Sequence, residues 1–299
     1  MDPEHVDIAA LRALLGGDGL AGPGDDAAVV ELGGDWALTT DPVVEGVHFE
    51  AGTAPARVAN KLLQRNLSDL AAMGAEPAFV LCSFCFGPGW DRDRRQALYE
   101  ALERGCAEAG VRWVGGDLAG GAATTCLTIT ALGRVGRGGA VRRSGLVAGD
   151  RLCVTGPLGG SLRSGRHLDF RARVAEGRWL AERFRPHAMI DVSDGLALDL
   201  ARMLEASGGL GATLDAAAIP VHPDAGPDPL AAALGDGEDF ELLFGVAPAD
   251  LEALAADPLL GPAGRRPIGT VDAEPGLRLR HPDGRVVPLD PGGFEHALP

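Results

Sequence analysis

A mixed α/β fold in two domains is the architecture this sequence predicts, and three observations carry the prediction. Short apolar runs that read as strands alternate with helix-period segments. In several places, however, two extended runs follow one another with no helix between them, which argues against one parallel doubly wound sheet. The 299 residues suit one large or two medium domains. A Gly-, Arg- and Ser-rich stretch near mid-chain, GRVGRGGAVRRSGLVAGD, reads as a joint. We accordingly divide the chain into residues 1–139 and 140–299.

The elements follow in order. AAVVEL and WALTT read as strands around the Gly33-Gly34-Asp35 turn. A helix is expected from a cap near Thr53, with Pro55 in its first turn, to Met73 before Gly74. Its apolar series is Val58, Leu62, Leu63, Leu67, Leu70 and Met73, and Asn66 and Asp69 share another face. AFVLCSFCF is a strand candidate, and a second helix spans about Arg92 to Ala109 on the stripe Leu98, Leu102, Cys106 and Ala109. VRWV and TTCLTITALG supply strands around a GGD turn. Beyond the joint, RLCVTG is a strand before the PLGGS turn, and AMI leads into an acidic turn at Asp191 to Asp194. Leu196 to Ala206 forms a helix stopped by Gly208-Gly209, and FELLFGV and RRPIGTV are late strands.

Composition narrows the function. The formal charge is -15, from 42 acidic against 27 basic residues, which argues against a broad nucleic-acid-binding face. No stretch reaches the ~20 apolar residues of a membrane span, and no signal peptide is visible. Five cysteines without a framework of spacings favour a reducing, cytoplasmic setting. Cys82 and Cys85 lie on a strand and read as core thiols. GxxxxGK[ST] and the HRD and DFG set of protein kinases are missing.

The chemistry is carried by six acidic segments: GPGDDAAVV, LTTDPVVEGVHF, NLSDLAAMG, GGDLAGG, IDVSDGLALDL and GDGEDFEL. Each sets Asp or Glu beside Gly, Ser or Thr at the edge of an apolar run. Carboxylates gathered this way repel one another unless cations neutralise them. Oxygen donors without thiols or clustered imidazoles suit Mg²⁺ held between carboxylates and phosphates. Each segment taken alone has a plain structural reading. Asp25 and Asp26 can be turn residues, Asp41 can be a polar strand end, and Arg65 one turn before Asp69 offers it a salt bridge. Ser193 can simply cap a helix. Their recurrence points to a magnesium-dependent enzyme acting on phosphates.

GDDAAVV, TTDPVVEGVHF, KLLQRNLSDLAAMGAEP, GGD, RRSG, VTGPLG, IDVSDGLALDL and GEDFELLF stand in the order found in thiamine-monophosphate kinases, from residue 24 to about residue 271. The sequence resembles that family closely, within a superfamily of ATP-binding proteins that includes aminoimidazole ribonucleotide synthetase. The resemblance implies the two-domain fold of that superfamily, a homodimer, and ATP-dependent phosphorylation of thiamine monophosphate to thiamine diphosphate with Mg²⁺. Carried over by motif, Asp26, Thr39, Thr40, Asp41, Asp69, Asp117, Asp191 and Asp194 would be magnesium ligands. Gly116, Asp117, Arg143 and Ser193 would lie at ATP, and His48, Glu238 and Phe294 at thiamine monophosphate. No residue is assigned as an acid, base or nucleophile. Glu45 is expected to orient its loop, and strand alternation would set Asp239 and Glu241 on one face with Glu238 opposite. Three positions depart from the commonest pattern: Leu118 follows GGD, Gly160 stands where Asp is common, and Asp236 where a small residue is. Gly160 is expected to loosen its loop. The competing readings are another ATP-dependent member of the superfamily and a catalytically silent nucleotide-binding scaffold.

Overall fold

The structure is a computed structural model that describes residues 32–294. The expected strand AAVVEL and Asp26 lie outside the described residues, except for Leu32. The chain forms two compact units: residues 1–70, 76–135 and 168–170 make the first, and 71–75, 136–167 and 171–299 the second.

In the first unit, strands β1 (Trp36–Val44), β2 (Ala75–Phe86), β3 (Arg112–Gly120) and β4 (Cys126–Val135) form a sheet in the order β1-β4-β2-β3. β1 runs antiparallel to β4 with Asp41 opposite Ile129, and its Pro42 suits the edge position that β1 holds among the described residues. β2 and β3 are parallel and joined by helix α2 (Arg92–Ala109). Asp91 caps α2 by accepting from the Arg94 N–H, and Gly110 ends it in the left-handed region. Helix α1 (Pro55–Ala72) buries Val58, Leu62, Leu63, Leu67 and Leu70, the stripe its sequence predicts. Gly116 has no room for a side chain, since a Cβ there would lie 1.8 Å from the Cys82 carbonyl oxygen.

In the second unit, β5 (Arg151–Val154), β6 (Ala188–Asp191), β7 (Gly211–Asp215), β8 (Leu242–Val246), β9 (Gly269–Asp272), β10 (Gly276–Arg280) and β11 (Val286–Pro288) form a sheet in the order β11-β10-β7-β9-β5-β8-β6. The helices are α3 (Ser161–Ser164), α4 (Val174–Arg183), α5 (Leu196–Ala206), α6 (Pro229–Gly235) and α7 (Leu251–Ala255). One apolar cluster lies between α5 and the sheet, where Leu196, Leu200, Met203 and Leu204 meet Val154, Ile190, Leu214 and Leu243. A second gathers Leu180 and Ala181 of α4 with Cys153, Met189, Phe244 and Val246. The two clusters cover opposite faces of the sheet's centre, which explains why β8 is buried at all five positions.

Candidate active site

Two acidic centres emerge, one in each unit. In the first, α1 lays one polar face along β1. Thr39 Oγ1 donates to Asp69 Oδ2 at 2.5 Å, and Arg65 Nε donates to Asp41 Oδ2 at 2.9 Å. Between them, Asn66 grips the Asp41 backbone as a neighbouring strand would. Its Oδ1 accepts from Asp41 N at 2.9 Å and its Nδ2 donates to Asp41 O at 3.2 Å. The salt bridge open to Arg65 is therefore made with Asp41. Thr40 points the other way, with its hydroxyl against Ile129 O and Thr130 Oγ1 on the exposed face. Period-two alternation accounts for the split, which brings Thr39, Asp41 and Asp69 together and sets Thr40 apart.

Asp117 is exposed on β3, opposite Ser83 of β2. Among the described residues, β1 and β3 are the two edges of the sheet, three strand spacings apart. At ~4.8 Å per spacing, the strand that carries Asp117 runs about 14 Å from β1 across the sheet. Gly116 beside it serves the close approach of β3 to β2.

His48 is nearly buried in the loop after β1 and accepts from the Val44 N–H through Nδ1 at 3.0 Å. That bond requires an unprotonated Nδ1, so the neutral ring carries its proton on Nε2. Glu45 accepts from Trp90 Nε1 at 3.1 Å, and its carbonyl accepts from Thr124. It holds the loop, as the sequence suggests.

In the second unit, the segment after β6 runs beside the GEDFEL segment before β8. Val192 N donates to Glu241 O, Phe240 N to Val192 O, and Glu238 N to Ser193 O at 2.7 Å. Asp191 ends β6 opposite Leu242 and is 7% exposed. Glu241 accepts from Thr155 Oγ1 at 2.6 Å and from the Arg173 fork at 2.7 and 2.5 Å. Asp239 accepts from Gly159 N at 2.8 Å and Arg166 Nη2 at 3.0 Å. Burial pushes the Asp239 carboxyl up to about 6 despite those two donors. Asp239 and Glu241 thus anchor the segment, and Glu238, with φ 57°, carries its strain together with Phe240 at φ 53°. Left-handed backbone at non-glycine residues costs roughly 1–2 kcal/mol each and clusters at functional sites.

Asp199 is the residue the sequence reading passes over. Its Oδ2 accepts from both Ser193 N and Asp194 N, at 3.1 and 3.0 Å, and Arg202 Nη1 bridges Asp199 to Asp194. The turn holding Ser193 and Asp194 is built on this one buried carboxylate. The sequence signal is an acid in the first turn of a helix whose N-cap, Gly195, has no side chain to cap with. The tail returns to the same turn, where Phe294 N donates to Asp194 O at 2.9 Å and the ring is about half exposed. Asp194, Ser193, Glu238 and Phe294 are therefore neighbours. Arg143 is exposed in the segment after β4.

Among the described residues, no three acidic, imidazole or thiol groups converge on one point. The β1–α1 group is an all-oxygen set of two carboxylates and a hydroxyl. Such donors fit Mg²⁺, which keeps several waters and takes one or two carboxylates with substrate phosphates.

Residues 24–135 match the family "AIR synthase related protein, N-terminal domain". The thiamine-monophosphate kinase of Rhodopirellula baltica is 35% identical over 292 residues, covering 92% of this chain and 90% of that protein. The chain belongs to the thiamine-monophosphate kinase family. The fold agrees: the thiamine-monophosphate kinase of Stenotrophomonas maltophilia superposes with a TM-score of 0.79 at 32% identity, covering 94% of this chain and 96% of that one. AaThiL complexed with AMPPCP and TMP superposes at 0.76 and 26% identity, covering 88% and 87%.

Two departures from the commonest thiamine-monophosphate kinase pattern turn out to touch. Gly160 N donates to Asp236 Oδ2 at 3.1 Å. Gly160 has φ 73°, and a Cβ there would lie 2.3 Å from Asp224 O. Its carbonyl accepts from Ser164 N and Oγ. The expectation of a loosened loop is therefore corrected: this turn is held on every side, and glycine is what lets it close.

Proposed function

We propose that this chain transfers the γ-phosphoryl group of ATP directly to thiamine monophosphate, giving thiamine diphosphate and ADP. The observation that carries this reading is similarity to a thiamine-monophosphate kinase over 92% of this chain and 90% of that protein, with the EGVHF and GEDFEL motifs present. A phosphate monoester is already largely ionised near neutrality, so its oxygen attacks in line without a protein base. The protein's task is positioning and charge. Nε2–H of His48 donates to the substrate phosphate, and the Glu238 carboxylate pairs with the cationic thiamine moiety, with Phe294 packed against it. The Arg143 guanidinium grips polyphosphate as a fork, and Ser193 and the Gly116-Asp117 turn lie at the nucleotide. Thr39, Asp41 and Asp69 in the first unit, and Asp191 and Asp194 in the second, are residues that would hold magnesium, and the family resemblance adds Asp26, Thr40 and Asp117. Metal ions bound at these residues would neutralise charge on the two anionic reactants.

A homodimer joined through the first unit's sheet is part of the same proposal. Leu38 on β1 and Leu81 on β2 are 64% and 39% exposed, which supports a covered face. Sedimentation should give about twice the chain mass of 30.7 kDa. Among the described residues no helix is long and apolar enough to cross a membrane.

The deciding experiment incubates the protein with γ-labelled ATP and thiamine monophosphate, with and without Mg²⁺. Label should pass into thiamine diphosphate only with the metal. Label released solely as inorganic phosphate, or retained in ATP, would refute the assignment.

A further inference from the structure

In the second unit, the segment after β4 and the exit of α4 border an open surface cavity of about 220 Å³ that none of the acidic motifs uses. Its walls carry Arg142, Arg185, His187 and Ser144 over the Gly138-Gly139 turn. Arg185 Nε lies 3.7 Å from where a Cβ on Gly138 would stand, so the guanidinium runs along that turn. Neither Arg142 nor Arg185 forms an ion pair with a described carboxylate. The nearby acids are engaged elsewhere. Buried Asp150 accepts from His187 Nδ1 and from Val147 N, each at 2.9 Å, and Glu182 faces Arg178 at 4.0 Å. Two exposed guanidiniums without a carboxylate partner thus share one surface pocket in a chain of net charge -15.

The backbone adds an independent observation. Arg185 N closes the end of α4 by donating to Leu180 O at 2.9 Å, with φ 49°. A left-handed residue after a helix is ordinarily glycine, and a following proline, here Pro186, further restricts the position. Arginine stands where helix-ending geometry favours glycine, and the strained residue is the one whose head group lies at the cavity. Backbone strain of this kind is held by the surrounding structure and clusters at ligand-binding sites.

We propose that this cavity is a binding site for a small phosphate-class oxyanion, gripped by Arg142 and Arg185 with His187 and Ser144 as hydrogen-bonding partners. Paired guanidiniums suit such an anion bidentately. The volume is below the ~300 Å³ at which pockets for drug-sized ligands begin, so the site accepts an anion the size of phosphate or pyrophosphate rather than a whole nucleotide. The inference does not rest on the kinase reading.

The test is calorimetric titration of the full chain with inorganic phosphate in EDTA, which removes binding through metals at the acidic motifs. Saturable binding is expected, weakened at least tenfold by Arg142→Gln and by Arg185→Gly. Because glycine suits the left-handed backbone, Arg185→Gly should melt at or above the wild-type temperature, separating lost binding from lost fold. ATP in EDTA should leave phosphate binding in place. No saturable binding, binding unchanged in both variants, or one-for-one displacement by ATP would each overturn the proposal.

Discussion

Asp239→Asn should remove a pH dependence of stability that the structure assigns to one buried carboxylate. Asp239 is 2% exposed, and burial pushes its carboxyl up to about 6 against an ordinary value of ~3.9. A carboxyl raised in the folded state contributes stability that is complete below ~3.9 and is lost as pH rises through about 6. At ~1.36 kcal/mol per pH unit, the ionised group costs the fold ~3 kcal/mol at pH 8 and ~1.5 kcal/mol at pH 5. Wild type should therefore lose ~1.4 kcal/mol from this group between pH 5 and pH 8, and the variant should not. Asparagine keeps an oxygen for the Gly159 N–H and gives up the ion pair with Arg166, so its own cost is a constant offset. His222, lowered by its burial and then by Arg166, titrates in both proteins and largely cancels. Two units need not unfold together, so urea unfolding is best read from amide cross-peaks of β8, which follow the second unit by itself. Parallel pH dependence in wild type and variant would show that the Gly159 and Arg166 donors fully repay the burial of the charge.

Three further outcomes follow from the same geometry. Asp69→Asn keeps an oxygen for the Thr39 hydroxyl but deletes a charge, so transfer at subsaturating Mg²⁺ should fall tenfold or more (~1.4 kcal/mol) with the melting temperature nearly unchanged. Near-normal rates across a Mg²⁺ titration would make Asp69 structural. Glu238→Gln should weaken thiamine monophosphate binding at least ~10-fold and leave an ATP analogue within ~2-fold by titration calorimetry, and the reverse pattern would place Glu238 at the wrong substrate. Gly116→Ala puts a Cβ 1.8 Å from Cys82 O and should destabilise the first unit by ~3 kcal/mol or prevent its folding, and an unshifted melting curve would contradict that packing.

How far the sequence could be read depended on whether a feature was local. The helices at 55–72, 92–109 and 196–206 were legible because each has an apolar stripe of its own and a Pro, cap or Gly to end it. Helix α4 was not. Its N-cap is Arg173, which makes no side-chain cap, and Gly177 interrupts its interior. Gly177 is there for a tertiary reason, because a Cβ would lie 2.2 Å from Ala71 O. β7 and β10 pair in parallel 65 residues apart, with nothing in either run to announce the partner. The site divides the same way. Recurring acids pointed to Asp41, Asp69, Asp191 and Asp194, whereas strand alternation does not govern Glu238 to Glu241, which precede β8 and include left-handed Glu238 and Phe240. The outward turn of Thr40, the distance of Asp117's strand from β1, and Asp199's hold on the Ser193-Asp194 turn required the fold.

Gly160 and Asp236 show what lies beyond reading positions one at a time. In the sequence they are separate irregularities, a glycine in place of an acid and an acid in place of a small residue, 76 residues apart. In space they make one contact, with the Asp236 carboxylate on the Gly160 N–H. The backbone of Asp224 and Ala225 crowds the place a side chain at 160 would occupy, at 2.3 and 2.8 Å, so an aspartate could not stand there without moving that loop. The acid can be supplied from the neighbouring segment because Asp236 ends α6 beside the turn. Each departure is thus intelligible only with the other: glycine makes room for the turn to close, and Asp236 satisfies the amide that the closed turn presents.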